Sequence, residues 1–83
     1  MRIVYFAWVR ERVGLDAEDV ALPAGIVTVA DLLGWLRGRG ENYAAALQAP
    51  EIVRVAIDQQ HADHSEPLGH AKEVAIFPPM TGG

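Results

Sequence analysis

The chain contains no cysteine. Disulfides, thiolate zinc sites, iron-sulfur clusters and cysteine nucleophiles are therefore excluded together. Positive charge is scarce as well: seven Lys and Arg stand against eleven Asp and Glu, giving a formal net charge of −4 and a pI near 5.1. Such a balance opposes binding to a phosphate backbone, so no nucleic-acid partner is expected. Long apolar runs are also missing. The run near the N-terminus, Ile3 to Val9, meets Arg10, Glu11 and Arg12 after seven residues, whereas a membrane span needs about 20. No secretory cleavage pattern follows it, and the expectation is a cytoplasmic protein with no membrane partner.

What remains is a chain of 83 residues, 51% hydrophobic and 22% charged. That length holds one small domain, and the composition is globular rather than disordered. Part of the apolar fraction is Ala, so the core must come from Val, Ile, Leu and the aromatics.

Hydrophobic patterning predicts an α+β order. Ile3 to Val9 is β-branched and aromatic without polar alternation, as in a strand covered on both faces. Gly14 and the acidic stretch Asp16 to Asp19 break it, and Val20 to Leu22, ending at Pro23, predicts a short strand pairing back on the first. Thr28 followed by Asp31 is a capping box with Asp in place of Glu. Val29, Leu32, Leu33 and Leu36 then mark one face of a helix ending near Gly40. Glu41 to Ala49 predicts a shorter helix stopped by Pro50. Strands follow at Ile52 to Ile57 and Glu73 to Phe77, with a turn and an edge strand inside Asp58 to Ser65. The expected architecture is one sheet with helices on one face, residues 1–77, followed by an extended tail, residues 78–83.

The tail reads Pro78, Pro79, Met80, Thr81, Gly82, Gly83. Two prolines favour an extended segment aimed away from the sheet, reaching roughly 20 Å at about 3.3 to 3.6 Å per residue. Two glycines leave the final carboxyl group unshielded and slim enough to thread a channel. The same small residues are also what a frayed terminus contains.

Phe77 to Gly83 after a strand, together with Phe6, Ala7, Val9, Arg10 and Glu11 near the start, resembles the small, sulfur-carrying subunits of molybdopterin synthase. These are ubiquitin-like β-grasp proteins, and the resemblance covers essentially the whole chain. It departs at Asp58, where the family often has Asn, and at His61, in a stretch that tends to be apolar. The resemblance implies a mixed sheet with helices on one face. It implies that a ubiquitin-activating-like enzyme uses ATP to adenylate Gly83, and that a sulfur donor protein displaces AMP to leave a thiocarboxylate. Residues Pro78 to Gly83 would then enter the large, catalytic synthase subunit, where the sulfur attacks a cyclic pyranopterin precursor. Phe6 and Phe77 would join one apolar patch that receives that subunit. The chain itself would bind no cofactor and no metal and would be a sulfur donor rather than an enzyme. Two other readings use the same residues. One is sulfur delivery to thiamine or tRNA thiolation, or conjugation to lysines as a protein modifier; the other is a β-grasp interaction module with an inert tail.

Other residues carry weaker signals. His61, His64 and His70 lie in a loosely spaced polar stretch without a helical i, i+4 pair, and are expected to be solvated. Arg10 and Glu11 form a local surface pair or help dock a partner. Trp8 and Trp35 are core fillers or interface aromatics. Gly34, inside the predicted helix, is expected to mark close backbone packing. Gly38-Arg39-Gly40 lacks the following Lys-Ser/Thr of a phosphate loop, and Glu41, Glu51 and Glu73 are scattered, so neither nucleotide binding nor paired-carboxylate hydrolysis has a candidate.

Overall fold

A computed structural model describes residues 1–79. Its elements run β1 (Arg2–Tyr5), α1 (Ala7–Val13), β2 (Ala17–Asp19), α2 (Val29–Arg37), α3 (Glu41–Ala46), a 3-10 turn (Pro50–Ile52), β3 (Arg54–Ile57), β4 (Gln60–Ala62) and β5 (Glu73–Phe77). The strands form one sheet in the order β2-β1-β5-β3-β4. β5 occupies the middle, parallel to β1 and antiparallel to β3. The sheet is therefore mixed, as expected for the α+β layout.

Strand alternation sorts the side chains. Ile3, Tyr5, Val55, Val74 and Ile76 face the helices and are buried, each at 1% exposure or less. Val9 and Val13 from α1, and Val29, Leu32, Leu33 and Leu36 from α2, close the core from the other side. Burying each of the α2 leucines contributes about 2 kcal/mol. The start of α2 is fixed as its sequence requires: Thr28 Oγ1 accepts from the Asp31 amide at 3.2 Å, and Asp31 Oδ2 accepts from the Thr28 and Val27 amides at 3.0 and 3.1 Å. Those two backbone donors hold the Asp31 carboxyl below its usual pKa.

The N-terminal expectation needs correcting. The strand stops at Tyr5, and Trp8 and Val9 belong to α1. Val9 and Val13, spaced i and i+4, are both buried, so a helix takes two apolar side chains into the core where a continued strand would have run past it. The break is made at Ala7, whose φ of +53° lies in the left-handed region. Gly14, with φ of +89°, ends the helix and returns its amide to the Arg10 carbonyl at 2.8 Å.

The acidic stretch is not a break. It forms β2, and Glu18 pairs with Ile3 on the inward side. The expected Val20 to Leu22 strand is thus shifted toward the N-terminus, although Val20 still exchanges two hydrogen bonds with Met1, at 2.9 and 3.1 Å. α3 ends at Ala46 rather than Ala49, and Pro50–Ile52 is a 3-10 turn that shortens the third strand to Arg54–Ile57. β4 is the expected edge strand. It is joined to β3 by Asp58 and Gln59, both at positive φ (+48° and +72°), the backbone of a tight two-residue hairpin. Asp58 Oδ1 also accepts from the Lys72 and Glu73 amides, each at 3.0 Å, and ties the hairpin to the start of β5. An Asn at that position would keep both the left-handed tolerance and the acceptor.

Candidate functional site

The root of the C-terminal segment is the end of the central strand. Because β5 is paired on both sides, the chain leaves the sheet from its best-held position, and Val74, Ala75 and Ile76 are all buried. The Phe6 amide donates to the Ile76 carbonyl at 3.1 Å, extending the parallel pairing one step beyond Tyr5 and Ile76. Phe6 is thereby set beside Phe77. Phe6 is 46% exposed, while Phe77, Pro78 and Pro79 are half-buried. Their neighbouring positions in the parallel register follow from the backbone pairing. Met80, Thr81, Gly82 and Gly83 lie outside the described residues, so the expected reactive end is not among them.

The same end of the sheet carries a small-residue surface. Val4, Ala75 and Ala56 are register partners on the face turned away from the helices, flanked by Ala17 on β2 and His61 on β4. Arg54 is the cross-strand partner of Phe77. Small apolar side chains form the middle of this face, with Arg2, Asp19, Glu73, Arg54 and His61 around them, an apolar centre with a polar rim that suits protein contact.

The most connected polar group was not legible in the sequence. Glu18 Oε2 accepts from the hydroxyls of Tyr5 and Tyr43 at 2.8 and 2.7 Å, and Oε1 accepts from Arg39 Nη1 at 2.9 Å. Burial alone would push the Glu18 carboxyl up, but the bonds from Tyr43, Tyr5 and Arg39 outweigh it and hold its pKa below the ordinary value. Burial, reinforced by the Glu18 carboxylate, pushes the Tyr5 hydroxyl well above its ordinary value and raises that of Tyr43. The network joins β1, β2 and α3 to the loop after α2. It holds the fold together on the helix side of the sheet, away from the face that carries Val4 and Ala75. The faint signal was alternation, since Glu18 lies two residues before the apolar Val20.

The remaining candidates are local. Arg10 pairs with Asp16 at 3.7 Å rather than with Glu11, both side chains being well exposed, so the pair adds little stability. Trp8 and Trp35 each rest one side on the core and carry a guanidinium on the ring, Arg12 at 4.5 Å and Arg39 at 5.0 Å. His64 Nε2 lies 2.9 Å from the Val53 carbonyl oxygen, and His61 and His70 are exposed. Among the described residues no group of three His, Cys, Asp or Glu side chains could hold a metal ion, and no helix is long and apolar enough to cross a membrane. Gly34 is a correction: a Cβ there would meet nothing within 4 Å. It borders an open concavity of about 240 Å³ with Ala30, Leu33, Arg37 and Pro50, so close packing is not its reason.

Comparison with known proteins places this geometry. The chain is 37% identical over 83 residues to the molybdopterin synthase sulfur carrier subunit of Escherichia coli K12, covering 100% of this chain and 99% of that protein. It is 31% identical to the protein of the same name from Haemophilus influenzae, with the same coverage. The solved structure of small archaeal modifier protein 1 from Haloferax volcanii superposes with a TM-score of 0.72 at 26% identity, covering 96% of this chain and 97% of that one. The fold is ubiquitin-like. A model of the ThiS family matches residues 3–83, and with full-length relatives above 30% identity this chain belongs to that family.

Proposed function

We propose that this chain is the sulfur-carrier subunit of a molybdopterin synthase. The observation that carries the reading is the 37% identity, across the whole chain, with the E. coli protein of that name. The central position of β5 supports it physically, because the C-terminal segment departs from a strand paired on both sides.

In this reading Gly83 carries the chemistry. An α-carboxyl group, with a pKa of about 3.3 to 3.7, is anionic at neutral pH and resists nucleophiles. A carboxylate oxygen attacks the α-phosphate of ATP in the adenylating enzyme, releasing pyrophosphate. A persulfide sulfur of a donor protein then attacks the acyl carbon, AMP leaves with the C–O bonding electrons, and a second thiol of the donor or activating enzyme cleaves the resulting acyl disulfide, forming a protein disulfide and releasing the sulfur on Gly83. The product is a thiocarboxylate, which Pro78, Pro79, Met80, Thr81, Gly82 and Gly83 carry into the large subunit. Acid-base groups and the pterin pocket belong to that subunit, and ATP is consumed by the activating enzyme; this chain contributes the tail and a docking face. Phe6 and Phe77, with Val4, Ala56 and Ala75 behind them, are the surface assigned to the large subunit.

The test is a reconstituted synthase reaction with a variant carrying one extra residue after Gly83. Product formation should disappear while the variant folds as before, and undiminished sulfur transfer would overturn the assignment. A second reading, a protein modifier, is favoured by the likeness to small archaeal modifier protein 1. It uses the same activated carboxyl, and it predicts adducts on lysines of other proteins that depend on an intact Gly82-Gly83 end.

A further inference from the structure

Phe6 keeps an extended backbone, φ −125° and ψ 152°, and donates its amide to the Ile76 carbonyl. It therefore continues the alternation of Arg2 and Val4, on the sheet face turned away from the helices. Phe77 takes the neighbouring register position on β5, and Arg54 stands directly across from Phe77 on β3. Cross-strand partners carry their side chains on one face. The row where the chain leaves the sheet thus runs aromatic, aromatic, cation.

That cation is placed differently from the others. Arg10 pairs with Asp16, Arg39 with Glu18, and Arg12 lies over the Trp8 ring. Arg2, at the opposite end of the same face, has a carboxylate on each side in the register, Asp19 on β2 and Glu73 on β5. Arg54 has an aromatic ring as its β5 partner, is exposed, and forms no ion pair among the described residues. Glu51, Asp63, His61 and His64 border an open hollow of about 200 Å³ with it, yet neither carboxylate pairs with it. A partner that covers Phe77 also covers Arg54, and a guanidinium taken out of water without a counter-charge is heavily penalised. Its planar fork matches a carboxylate through two parallel hydrogen bonds.

We propose that Arg54 is a specificity-determining contact of the docking face, and that the large synthase subunit presents an Asp or Glu carboxylate to it beside Phe6 and Phe77. The proposal rests on the sulfur-carrier reading, which assigns this surface to the large subunit. The two phenylalanines supply apolar contact, while Arg54 fixes the register of docking and discriminates among partners. A subunit with an apolar or cationic residue opposite leaves the guanidinium covered and unmatched. Asp63, one step beyond the Val55–Ala62 pair, flanks Arg54 on its other side and competes for it in the free chain.

The experiment measures binding of the full-length chain to the large synthase subunit of the same organism by calorimetry, at about 50 and about 500 mM salt. The variants are Arg54→Gln, Arg54→Glu, Asp63→Asn and Arg37→Glu, with thermal melts to show that each is folded. Arg37 is exposed on α2, on the helix side, and its reversal changes net charge as much as that of Arg54. At low salt the expected loss of affinity is about 10-fold for Arg54→Gln and about 100-fold for Arg54→Glu, shrinking at high salt. Asp63→Asn binds at least as tightly as the unaltered chain, and Arg37→Glu stays within about 2-fold of it. The proposal is overturned, and the carrier reading left standing, if the unaltered chain binds and Arg54→Gln binds equally well. A loss that salt does not reduce does the same, as does Asp63→Asn weakening binding like Arg54→Gln, or Arg37→Glu weakening it like Arg54→Glu. No binding of the unaltered chain overturns both.

Discussion

Glu18 holds three donors from three different segments, so its removal strands more than its own bonds. Tyr5 is 1% exposed, and in Glu18→Ala its hydroxyl loses its acceptor inside the core. Hydrogen bonds to a charged group and an unsatisfied buried donor together cost about 2 to 3 kcal/mol, a loss that urea unfolding would read as a lower midpoint at unchanged slope. The pH dependence follows from the shifts. Glu18 has a lowered pKa in the folded chain, so its stabilisation is present above the ordinary value of 4.5 and is lost as pH falls through the folded value. Tyr5 is raised above its ordinary value of 10.0, so its share is full below pH 10 and is lost as pH rises beyond it. Unfolding free energy should therefore decline on both flanks, and Glu18→Gln should flatten the acid flank specifically; an unchanged acid flank in that variant would refute the assignment. Ala7 offers a test of opposite sign. A left-handed φ costs an L-residue roughly 1 to 2 kcal/mol, partly offset in glycine by its larger loss of chain entropy. Ala7→Gly should thus stabilise by about 0.5 kcal/mol, measurable as a raised melting temperature.

The start and buried face of helix α2 were readable because the capping box at Thr28 and Asp31 and the apolar stripe agree, but its end was not: it stops at Arg37 rather than near Gly40, and Gly38 caps it at a φ of −83° instead of a left-handed one. Its one dissonant residue is Gly34. With no neighbour within 4 Å of a Cβ, Gly34→Ala should stabilise the chain by about 1 kcal/mol, the difference in helix propensity. A destabilised Gly34→Ala would mean that the helix face is under a constraint the fold itself does not impose. α1 and β2 were not readable for related reasons. Ile3 to Val9 has the β propensity of one long strand, but the turn at Ala7 is set by where the core lies, which local propensity does not encode. Asp16 to Asp19 has the composition of a loop, and only Tyr5, Tyr43 and Arg39, distant in sequence, make Glu18 acceptable facing inward. Of the site, Phe6 and Phe77 were singled out through the family resemblance; that they take neighbouring positions, with Arg54 across from Phe77, required the strand register.

The sheet order places the last strand in the middle, and this organises the molecule around its C-terminal end. Helices cover one face, Val4, Ala75 and Ala56 sit on the other, and Phe6 and Phe77 take neighbouring register positions where the chain leaves the sheet. Phe6 is largely free of the core, so Phe6→Asp should leave stability within about 0.5 kcal/mol. Against the large synthase subunit it should weaken binding by more than about 2 kcal/mol, as loss of an aromatic anchor does. Isothermal titration on the two purified subunits reads both affinity and any loss of folded fraction. The central claim, that Gly83 carries sulfur, is tested most directly by intact mass spectrometry of the chain after incubation with ATP, an activating enzyme and a sulfur source. Exchange of one oxygen for sulfur, confined by fragmentation to Gly83, is the predicted result. An unchanged mass, with the same enzyme charging a known carrier in parallel, would contradict it and leave a β-grasp binding module as the better account.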